Sequence, residues 1–315
     1  MHTEVDLIVV GAGPAGLEAA LLAARARLRV RVVDLGRDDA SLRRNGRAVL
    51  AEGTVGLDHV APSEVRARAR ESLERHGVHV ELGEVTDVGR RDDGVLAVTI
   101  ADGARSEVVT TRRVLLASGL VDVLPPLPGL AETWGVSSFS CPYCHGYERS
   151  GEAARTGRWG VLAHEVGALK TAPLYTRWAR EVVLFTDGLE PPRELRAAHE
   201  AADLRYETAV VRALRHDEDR LEAVVLEGDR EVALDVLVHR PPRTRGALIE
   251  RLGLAVDPQG LVVVDGRTET SMKGVHACGD LTTTPHQIVF ALADGAHAAM
   301  AIASSIAFED TLGRR

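Results

Sequence analysis

The chain has 315 residues, of which 45% are hydrophobic and 27% charged, a length and composition typical of two soluble α/β domains. Its net charge of -8 and its scattered basic residues argue against a nucleic-acid partner. We find no apolar run of membrane-span length and no basic leader before the first apolar strand, so we expect a cytoplasmic protein without a membrane partner.

The N-terminus carries the pattern of a βαβ unit. The branched, apolar run Asp6–Val10 predicts a buried parallel strand, and the sequence Gly-Ala-Gly-Pro-Ala-Gly follows it at Gly11–Gly16. An alanine-rich helix is predicted over 17–26, and a second strand over 30–34 ends in Asp34. Because the glycine motif lies between a strand and a helix and an acid ends the next strand, the pattern predicts a dinucleotide site.

Each residue type in this motif has a physical reason. Gly11 permits the tight turn, Gly13 lets backbone amides approach a pyrophosphate, and Gly16 lets the helix pack closely on the strand. The positive end of the helix dipole faces the same place. Asp34 is placed to accept a hydrogen bond from a ribose diol.

The remaining predicted elements continue the α/β pattern. First come a helix over 63–76, short strands over 78–100, a buried strand over 113–119 and a linker with prolines at 125, 126 and 128. A second α/β block over 134–240 contains a strand at 160–163, a helix at 166–177 and a strand at 181–185. The chain ends with strands at 261–265 and 275–278 and a long helix over 285–306.

A second cofactor signal lies near the C-terminus, in the sequence His-Ala-Cys-Gly-Asp over 276–280. A sharp turn at Gly279 presents Asp280, and the following helix begins near Gln287. We expect this acid to bind a ribityl hydroxyl and the helix end to hold charge on a flavin ring. Together with the N-terminal motif, this signal favours a flavin cofactor.

Two of the three cysteines form the sequence Cys141-Pro-Tyr-Cys144, a spacing typical of a redox-active dithiol. The third, Cys278, lies in the turn before Asp280, and we expect a buried, inert thiol. Structural zinc needs four ligands, and no second Cys/His pair stands near this one, so we predict no metal site. The remaining chemistry of the pair is thiol–disulfide exchange.

These motifs resemble those of low-molecular-weight thioredoxin reductases over nearly the whole chain. The resemblance rests on Gly11–Gly16, Ala117–Gly119, Cys141–Cys144 and Ala277–Asp280 with Gln287. It implies two Rossmann-like, doubly wound nucleotide-binding domains and a homodimer. An FAD-binding domain of residues 1–122 and 244–315 is interrupted by residues 123–243, which carry the dithiol. The implied FAD contacts are Gly11, Gly13, Pro14, Ala15, Gly16, Asp34, Asn45, Gly119, Asp280, Gln287 and Ile288.

The sequence departs from that family where the inserted domain should bind NADPH. Ala163 and Glu165 stand where the first two glycines of the second motif belong, and only Ala168 fits the pattern. The next strand ends at Phe185 and is followed by Asp187 instead of a basic cluster. Like charges about 4 Å apart repel by roughly 4 kcal/mol at an effective dielectric constant of 20. We therefore predict that nicotinamide binding is lost.

The sequence Cys-Pro-Tyr-Cys-His-Gly-Tyr-Glu over 141–148 resembles the FAD-dependent dithiol oxidases of the holomycin and gliotoxin natural-product pathways. That resemblance implies that a substrate thiolate attacks Cys141, that Cys144 passes electrons to FAD, and that dioxygen becomes hydrogen peroxide. We expect His145 to take protons, with a purely structural hydrogen bond as the alternative. Tyr147 and Glu148 are expected to pack and to cap.

If the C-terminal motif folds as predicted, we expect His286 to lie over the flavin edge as a second catalytic base, with a structural role as the alternative. Two other functions stay open: a reductase that passes electrons from NADPH or another donor to a thioredoxin-like protein, and a flavin-linked redox sensor. The sequence does not choose between a small natural-product dithiol, a peptide and a protein, such as a thioredoxin-like partner, as the substrate.

Overall fold

The computed structural model describes residues 4–36, 44–150 and 157–312. The chain divides into two compact units, the first made of Met1–Leu42, Val60–Val121 and Thr244–Arg315, and the second of Arg43–His59 and Asp122–Arg243. Each unit has its own hydrophobic core and a sheet with parallel strands and helices, so the predicted α/β class is confirmed.

The first unit is built on a seven-stranded sheet with the order β3-β2-β1-β6-β5-β4, in which β17 also pairs with β6. Strands β1, β2, β3, β6 and β17 are parallel where they pair, whereas β4 and β5 are antiparallel. Its elements are β1 Val5–Val10, α1 Pro14–Arg25, β2 Val30–Asp34, α2 Pro62–Glu74, β3 Val80–Leu82, β4 Glu84–Arg90, β5 Leu96–Asp102, β6 Arg105–Leu116, α7 Ala247–Arg251, β17 Val275–Ala277 and α8 Ile288–Leu312.

The second unit is built on a five-stranded parallel sheet with the order β11-β10-β9-β15-β8 and a three-stranded antiparallel sheet, β12-β13-β14. Its elements are α3 Leu130–Thr133, β8 Ser138–Phe139, α4 Pro142–Arg149, β9 Arg158–Leu162, α5 Val166–Lys170, β10 Glu181–Phe185, α6 Arg193–Ala201, β11 Arg205–Glu207, β12 Val211–Asp217, β13 Arg220–Leu226, β14 Glu231–Ala233 and β15 Val236–His239. The chain crosses between the units at β7 Leu120–Asp122 and β16 Arg243–Arg245, which pair with each other.

Close backbone contacts fix the N-terminal βαβ unit. The Gly11 N–H donates to the Val33 carbonyl at 2.8 Å, which ties the glycine loop to β2. Pro14 stands at the start of α1, where its missing N–H costs nothing and its fixed φ suits a helix. Helix α1 then packs on α8, because Gly295 leaves no Cβ to overlap the Ala15 carbonyl.

Helix α8 is long and apolar enough to cross a membrane by length and composition, with a mean hydropathy of 1.4. The expectation that no segment reaches that length is therefore wrong on these two criteria. A row of α8 side chains nevertheless lies in the first unit's core, at Ala291, Ala298, Ala299, Ile302 and Ile306. Core helices of globular proteins pass the same test, so this helix is weak evidence for a membrane span.

Two predicted elements differ from the structure. The helix predicted over 166–177 ends at Lys170 and continues as a 3-10 helix over Ala172–Arg177, because Pro173 lacks the N–H that an α-helix needs there. The strand predicted over 261–265 reduces to one antiparallel bridge between Val256 and Val262. Asp265 turns the chain instead, since its Oδ1 accepts from the N–H groups of residues 267 and 269.

The segment from Arg44 to His59 groups with the second unit, although β2 and α2 on either side belong to the first. Arg44 Nε pairs with Asp122 at 3.1 Å, and Arg47 donates to the Glu132 carbonyl at 2.9 Å. Both contacts hold the segment to the start of the second unit.

Candidate functional site

The glycine loop between β1 and α1 forms an open cradle for an anion. Gly11 has φ +103°, and a Cβ there would lie 2.7 Å from the Ala117 carbonyl oxygen, so only glycine fits. A Cβ on Gly16 would overlap the Gly11 carbonyl. A Cβ on Gly13 would meet nothing within 4 Å. The loop is therefore closed on its protein side and open beside Gly13, the position predicted to face a pyrophosphate.

Asp34 stabilises this loop from the end of β2. It is buried, and its Oδ2 accepts a hydrogen bond from the Ala12 N–H at 2.8 Å. Its Oδ1 accepts from the Gly36 N–H at 3.0 Å. The carboxylate thus holds the backbone next to Gly13, and its contact with a ribose stays a prediction.

The C-terminal cofactor motif lies against the same helix. Gly279 has φ +70°, and a Cβ there would lie 2.9 Å from the Ala15 Cβ. Asp280 follows in a short 3-10 helix, Gly279–Leu281. Since Ala15 lies in the first turn of α1, the structure brings the turn of Asp280 next to the glycine cradle within the first unit. These residues fit a dinucleotide with a polyol, such as FAD.

The other predicted cofactor residues fall in three places. Gly119, with φ +68°, follows β6, and Ile288 begins α8 after the half-buried His286 and Gln287. Asn45 lies in the segment that groups with the second unit. Contacts of these residues with FAD stay predictions.

The dithiol lies at the N-terminus of α4, in the second unit. Cys141 and Cys144 form a disulfide with a Cα–Cα distance of 5.4 Å. Cys141 is the N-cap of the helix, Pro142 is its first residue, and Cys144 donates its N–H to the Cys141 carbonyl at 3.2 Å. Both sulfurs therefore lie in the first turn, where the helix dipole favours a thiolate over a thiol.

An aromatic cluster of Phe139, Tyr143, Trp159 and Trp178 packs around α4. Trp178 makes an edge contact with Tyr143, with ring centroids 5.3 Å apart, and stacks on the fully buried Trp159 at 6.3 Å. A Cβ on Gly146 would lie 2.9 Å from the Trp178 ring, so the glycine lets the helix approach the indole. Aromatic packing of this kind fixes the orientation of the helix that carries the dithiol.

His145 is the residue after Cys144, and its ring lies 5.1 Å from that of Phe139. Burial, and the positive charge of Arg149, lower the pKa of His145 to about 4. The imidazole is therefore neutral near pH 7. It can accept a proton, but it brings no positive charge to a neighbouring thiolate, so thiolate stabilisation falls to the helix N-terminus.

Tyr147 is 82% exposed, so the prediction that it packs is wrong. Its neighbour Glu148 is also exposed. Gly146 lies on the face of α4 that packs against Trp178. Tyr147 and Glu148, the next two residues, are exposed to solvent.

The loop after β9 is the position of a second nucleotide site, and it differs from the first glycine loop. Ala163 is fully buried, and Glu165 is the N-cap of the five-residue helix α5. The Glu165 Oε1 lies 3.5 Å from the position of a Cβ on Gly167. A carboxylate of the chain itself therefore lies at the helix start where a pyrophosphate would need open N–H groups.

The neighbouring strand ends are also unsuited to a phosphate. Asp187 follows β10, and its Oδ1 accepts from the Val211 N–H at 2.8 Å. Its Oδ2 lies 3.9 Å from Nδ1 of His164, whose ring makes an edge contact with His239. His239 is buried and donates from Nδ1 to the Leu162 carbonyl at 3.3 Å, and burial lowers its pKa. At this edge Asp187 supplies a carboxylate and His239 a neutral imidazole, and Arg230 is paired with Glu207 at the end of β11.

Sequence reasoning missed the aromatic cluster and the buried Asp294 Oδ2 on α8. Trp159 and Trp178 lie far from the cysteines along the chain, so motif spacing gave no signal. The one available signal was composition. Aromatic residues make up only 3% of the chain, so the few aromatic residues near the dithiol could have been expected to pack with one another.

We expect Gly146→Ala to lower the free energy of unfolding of the protein by about 1–3 kcal/mol, because the new methyl group overpacks against Trp178. Urea unfolding followed by tryptophan fluorescence measures this. Gly167→Ala is the matched control, since its Cβ makes only an ordinary contact at 3.5 Å. Equal stability of the two variants would contradict the tight packing of α4 on Trp178.

We expect Cys278 to resist alkylation in the folded, reduced protein. Burial, and the charge of Asp294, raise the pKa of its thiol to about 12. At pH 8 only about one molecule in ten thousand then carries the reactive thiolate. Iodoacetamide labelling followed by intact mass should show two alkyl groups on native protein and three after denaturation. Rapid addition of a third group to native protein would contradict this.

Comparison with known proteins gives the family. The model of the pyridine nucleotide-disulphide oxidoreductases matches residues 5–295. The thioredoxin reductase tcpT of Claviceps purpurea is 32% identical over 99% of this chain and 97% of its own. The crystal structure of HlmI matches with a TM-score of 0.88 and 34% identity, over 98% of this chain and 95% of its own.

An oxidoreductase from Agrobacterium tumefaciens matches with a TM-score of 0.85 and 37% identity, over 96% of this chain and 99% of its own. These similarities extend over both units, and the members of the family are FAD-binding flavoproteins. The chain belongs to the pyridine nucleotide-disulphide oxidoreductase family, as a thioredoxin reductase-like, FAD-dependent oxidoreductase.

Proposed function

We propose that this flavoprotein oxidises a dithiol substrate to a disulfide through Cys141 and Cys144, with dioxygen as the final electron acceptor. The net reaction converts a dithiol and O2 into a disulfide and H2O2, so two electrons and two protons leave the substrate and arrive on oxygen. The observation that carries the proposal is the loop of the second unit at Ala163–Ala168.

That loop argues against NADPH as the electron donor. The Glu165 carboxylate lies beside Gly167 at the start of α5, and Asp187 adds a second negative charge after β10. A phosphate about 4 Å from one such carboxylate is disfavoured by roughly 4 kcal/mol at an effective dielectric constant of 20, a thousandfold loss of affinity. With the nicotinamide route closed, the electrons have to enter through the dithiol.

The first unit is proposed as the FAD-binding domain and the second as the inserted domain that lacks nicotinamide binding. Gly11, Gly13 and Gly16 would hold the pyrophosphate, Asp34 would keep the loop in shape and bind a ribose hydroxyl, and Asp280 would bind the ribityl chain. Pro14, Ala15, Asn45, Gly119, Gln287 and Ile288 complete the proposed contacts, with His286 at the flavin edge. When bound, FAD supplies the two-electron path from the enzyme dithiol to oxygen.

The sulfur chemistry proceeds by two exchanges. A substrate thiolate attacks Cys141 Sγ, the enzyme disulfide breaks, and Cys144 leaves as a thiolate in the first turn of α4. The second substrate thiolate then attacks the substrate sulfur of this mixed disulfide. Cys141 leaves, the cyclic or linear disulfide product departs, and both enzyme cysteines are reduced. The helix N-terminus stabilises each leaving thiolate and so speeds both exchanges.

His145 is proposed as the proton acceptor for these steps. Its pKa of about 4 keeps the ring neutral from about pH 5 upward, so it is available as a base through the physiological range. The proposal further includes a cytoplasmic homodimer that acts in natural-product biosynthesis.

A second candidate is a disulfide reductase, favoured by the name of the relative from Claviceps purpurea. Such an enzyme would draw electrons from NADPH or another donor and reduce a thioredoxin-like protein. It would need a donor site other than the acidic edge at Glu165 and Asp187. A flavin-linked redox sensor would show neither steady turnover with dithiol nor stoichiometric peroxide.

We expect air-saturated holoprotein to consume oxygen with a generic dithiol such as dithiothreitol and to form one H2O2 for each O2. An oxygen electrode and a peroxidase-coupled assay measure both. Cys144→Ser should reduce turnover to background and keep bound FAD, because the electron path from the dithiol is cut. Gly167→Ala, in the loop that the oxidase does not use, should keep turnover. Full activity of Cys144→Ser would refute the path through this pair.

A further inference from the structure

Two residues lie between the cysteines of the dithiol, and the structure treats them differently. Pro142 is buried as the first residue of α4, whereas the side chain of Tyr143 is 60% exposed. An aromatic ring carries a large apolar surface, and binding a partner can remove that surface from water. Tyr143 is therefore the exposed apolar group closest in the chain to both sulfurs.

The ring of Tyr143 is held in one orientation although it is exposed. It makes an edge contact with Trp178, with ring centroids 5.3 Å apart and planes at 87°. Trp178 is fixed in turn, because it stacks on the buried Trp159 with the two planes 8° apart and packs on α4 at Gly146. A ring that is fixed before binding loses little conformational entropy when a partner packs on it.

Tyr147 lies one turn later on α4 and provides a contrast. Its side chain is 82% exposed, and no ring contact with another described residue holds it. The two tyrosines thus share residue type, helix and exposure to solvent. They differ in the aromatic support behind the ring, which Tyr143 has and Tyr147 lacks among the described residues.

A substrate that reacts with the dithiol has to come close to Tyr143. In the proposed exchange a substrate sulfur bonds to Cys141, so the substrate atoms next to that sulfur contact what is exposed around the first turn of α4. Side chains two residues apart on a helix leave from nearly opposite sides. His145 accordingly packs away from Tyr143, on Phe139, with ring centroids 5.1 Å apart.

We infer that Tyr143 is a substrate-binding residue that selects dithiols with an apolar ring next to their sulfurs. This rests on the proposed oxidation of a dithiol through Cys141 and Cys144. The substrate ring packs on the exposed part of the Tyr143 ring before the first exchange and keeps this contact during it. Such uniform binding lowers KM and leaves kcat unchanged. The aromatic ring is the property required at position 143, and the hydroxyl is not.

The test compares two dithiols with the same spacing between their sulfurs. Dithiothreitol carries hydroxyl groups between them, and ortho-benzenedimethanethiol carries an aromatic ring there. We measure kcat and KM by oxygen consumption for the parent holoprotein, Tyr143→Ala, Tyr143→Phe and the matched control Tyr147→Ala. Each variant is compared with the parent for the same dithiol, so the intrinsic reactivities of the two dithiols cancel.

We expect Tyr143→Ala to raise KM for ortho-benzenedimethanethiol about tenfold and KM for dithiothreitol less than about twofold, with kcat unchanged for both. Tyr143→Phe and Tyr147→Ala should stay within about twofold of the parent. Equal effects of Tyr143→Ala on the two dithiols would overturn the inference, because a purely structural role of the ring affects both alike. An equal rise of KM in Tyr147→Ala would overturn it as well.

Flavin reduction of the parent protein without oxygen separates this inference from the proposed function and does not depend on the folding of a variant. We expect half-saturation at a concentration of ortho-benzenedimethanethiol at least about tenfold below that of dithiothreitol. If neither dithiol bleaches the flavin band, the proposed oxidation fails and the role of Tyr143 with it. If both bleach it with the same half-saturating concentration, the oxidation stands and selection by Tyr143 fails.

Discussion

The first turn of a helix that follows a parallel strand binds a phosphate only where the space beside its N–H groups is open and free of negative charge, and the two units differ at this point. In the first unit Gly13 leaves the start of α1 open. In the second unit the Glu165 carboxylate lies at the start of α5, beside Gly167. One helix start is thus open and the other has a carboxylate of the chain beside it, which supports our proposal that only the first unit binds a dinucleotide.

The proposed loss of the nicotinamide site changes what the dithiol can do. A thioredoxin reductase-like chain with a nicotinamide site can send electrons outward through its disulfide. In the oxidase that we propose, Cys141 and Cys144 are instead the entry point for electrons. Their place in the first turn of α4 suits this role, because the helix N-terminus stabilises a thiolate whether the pair is attacked or leaves. The proposed role of His145 as proton acceptor agrees with its lowered pKa, which leaves the ring neutral before it takes a proton.

Much of the fold and of the candidate site could be predicted from local pattern. The glycine loop, the start of α4 at Pro142 and the burial of Cys278 each follow from residue types within a few positions of one another. The rest depends on contacts between residues distant in sequence. No local pattern predicts the contact of Trp178 with Gly146 or that of Gly295 with the Ala15 carbonyl.

The predicted bounds of helices and strands were wrong where a single residue changed the local structure that the surrounding pattern predicts. Pro173 divides a predicted helix into an α-helix and a 3-10 helix, and the side chain of Asp265 replaces a strand with a turn. The segment 44–59 has no pattern that assigns it to a domain, and the ion pair of Arg44 with Asp122 shows its place in the second unit.

The direction of electron flow is tested most directly by mixing oxidised holoprotein, without oxygen, with either excess NADPH or excess dithiol, while the visible flavin band is followed. A dithiol oxidase with a closed nicotinamide site should lose the band rapidly with the dithiol and keep it with NADPH. Rapid bleaching by NADPH would contradict the oxidase and restore the reductase.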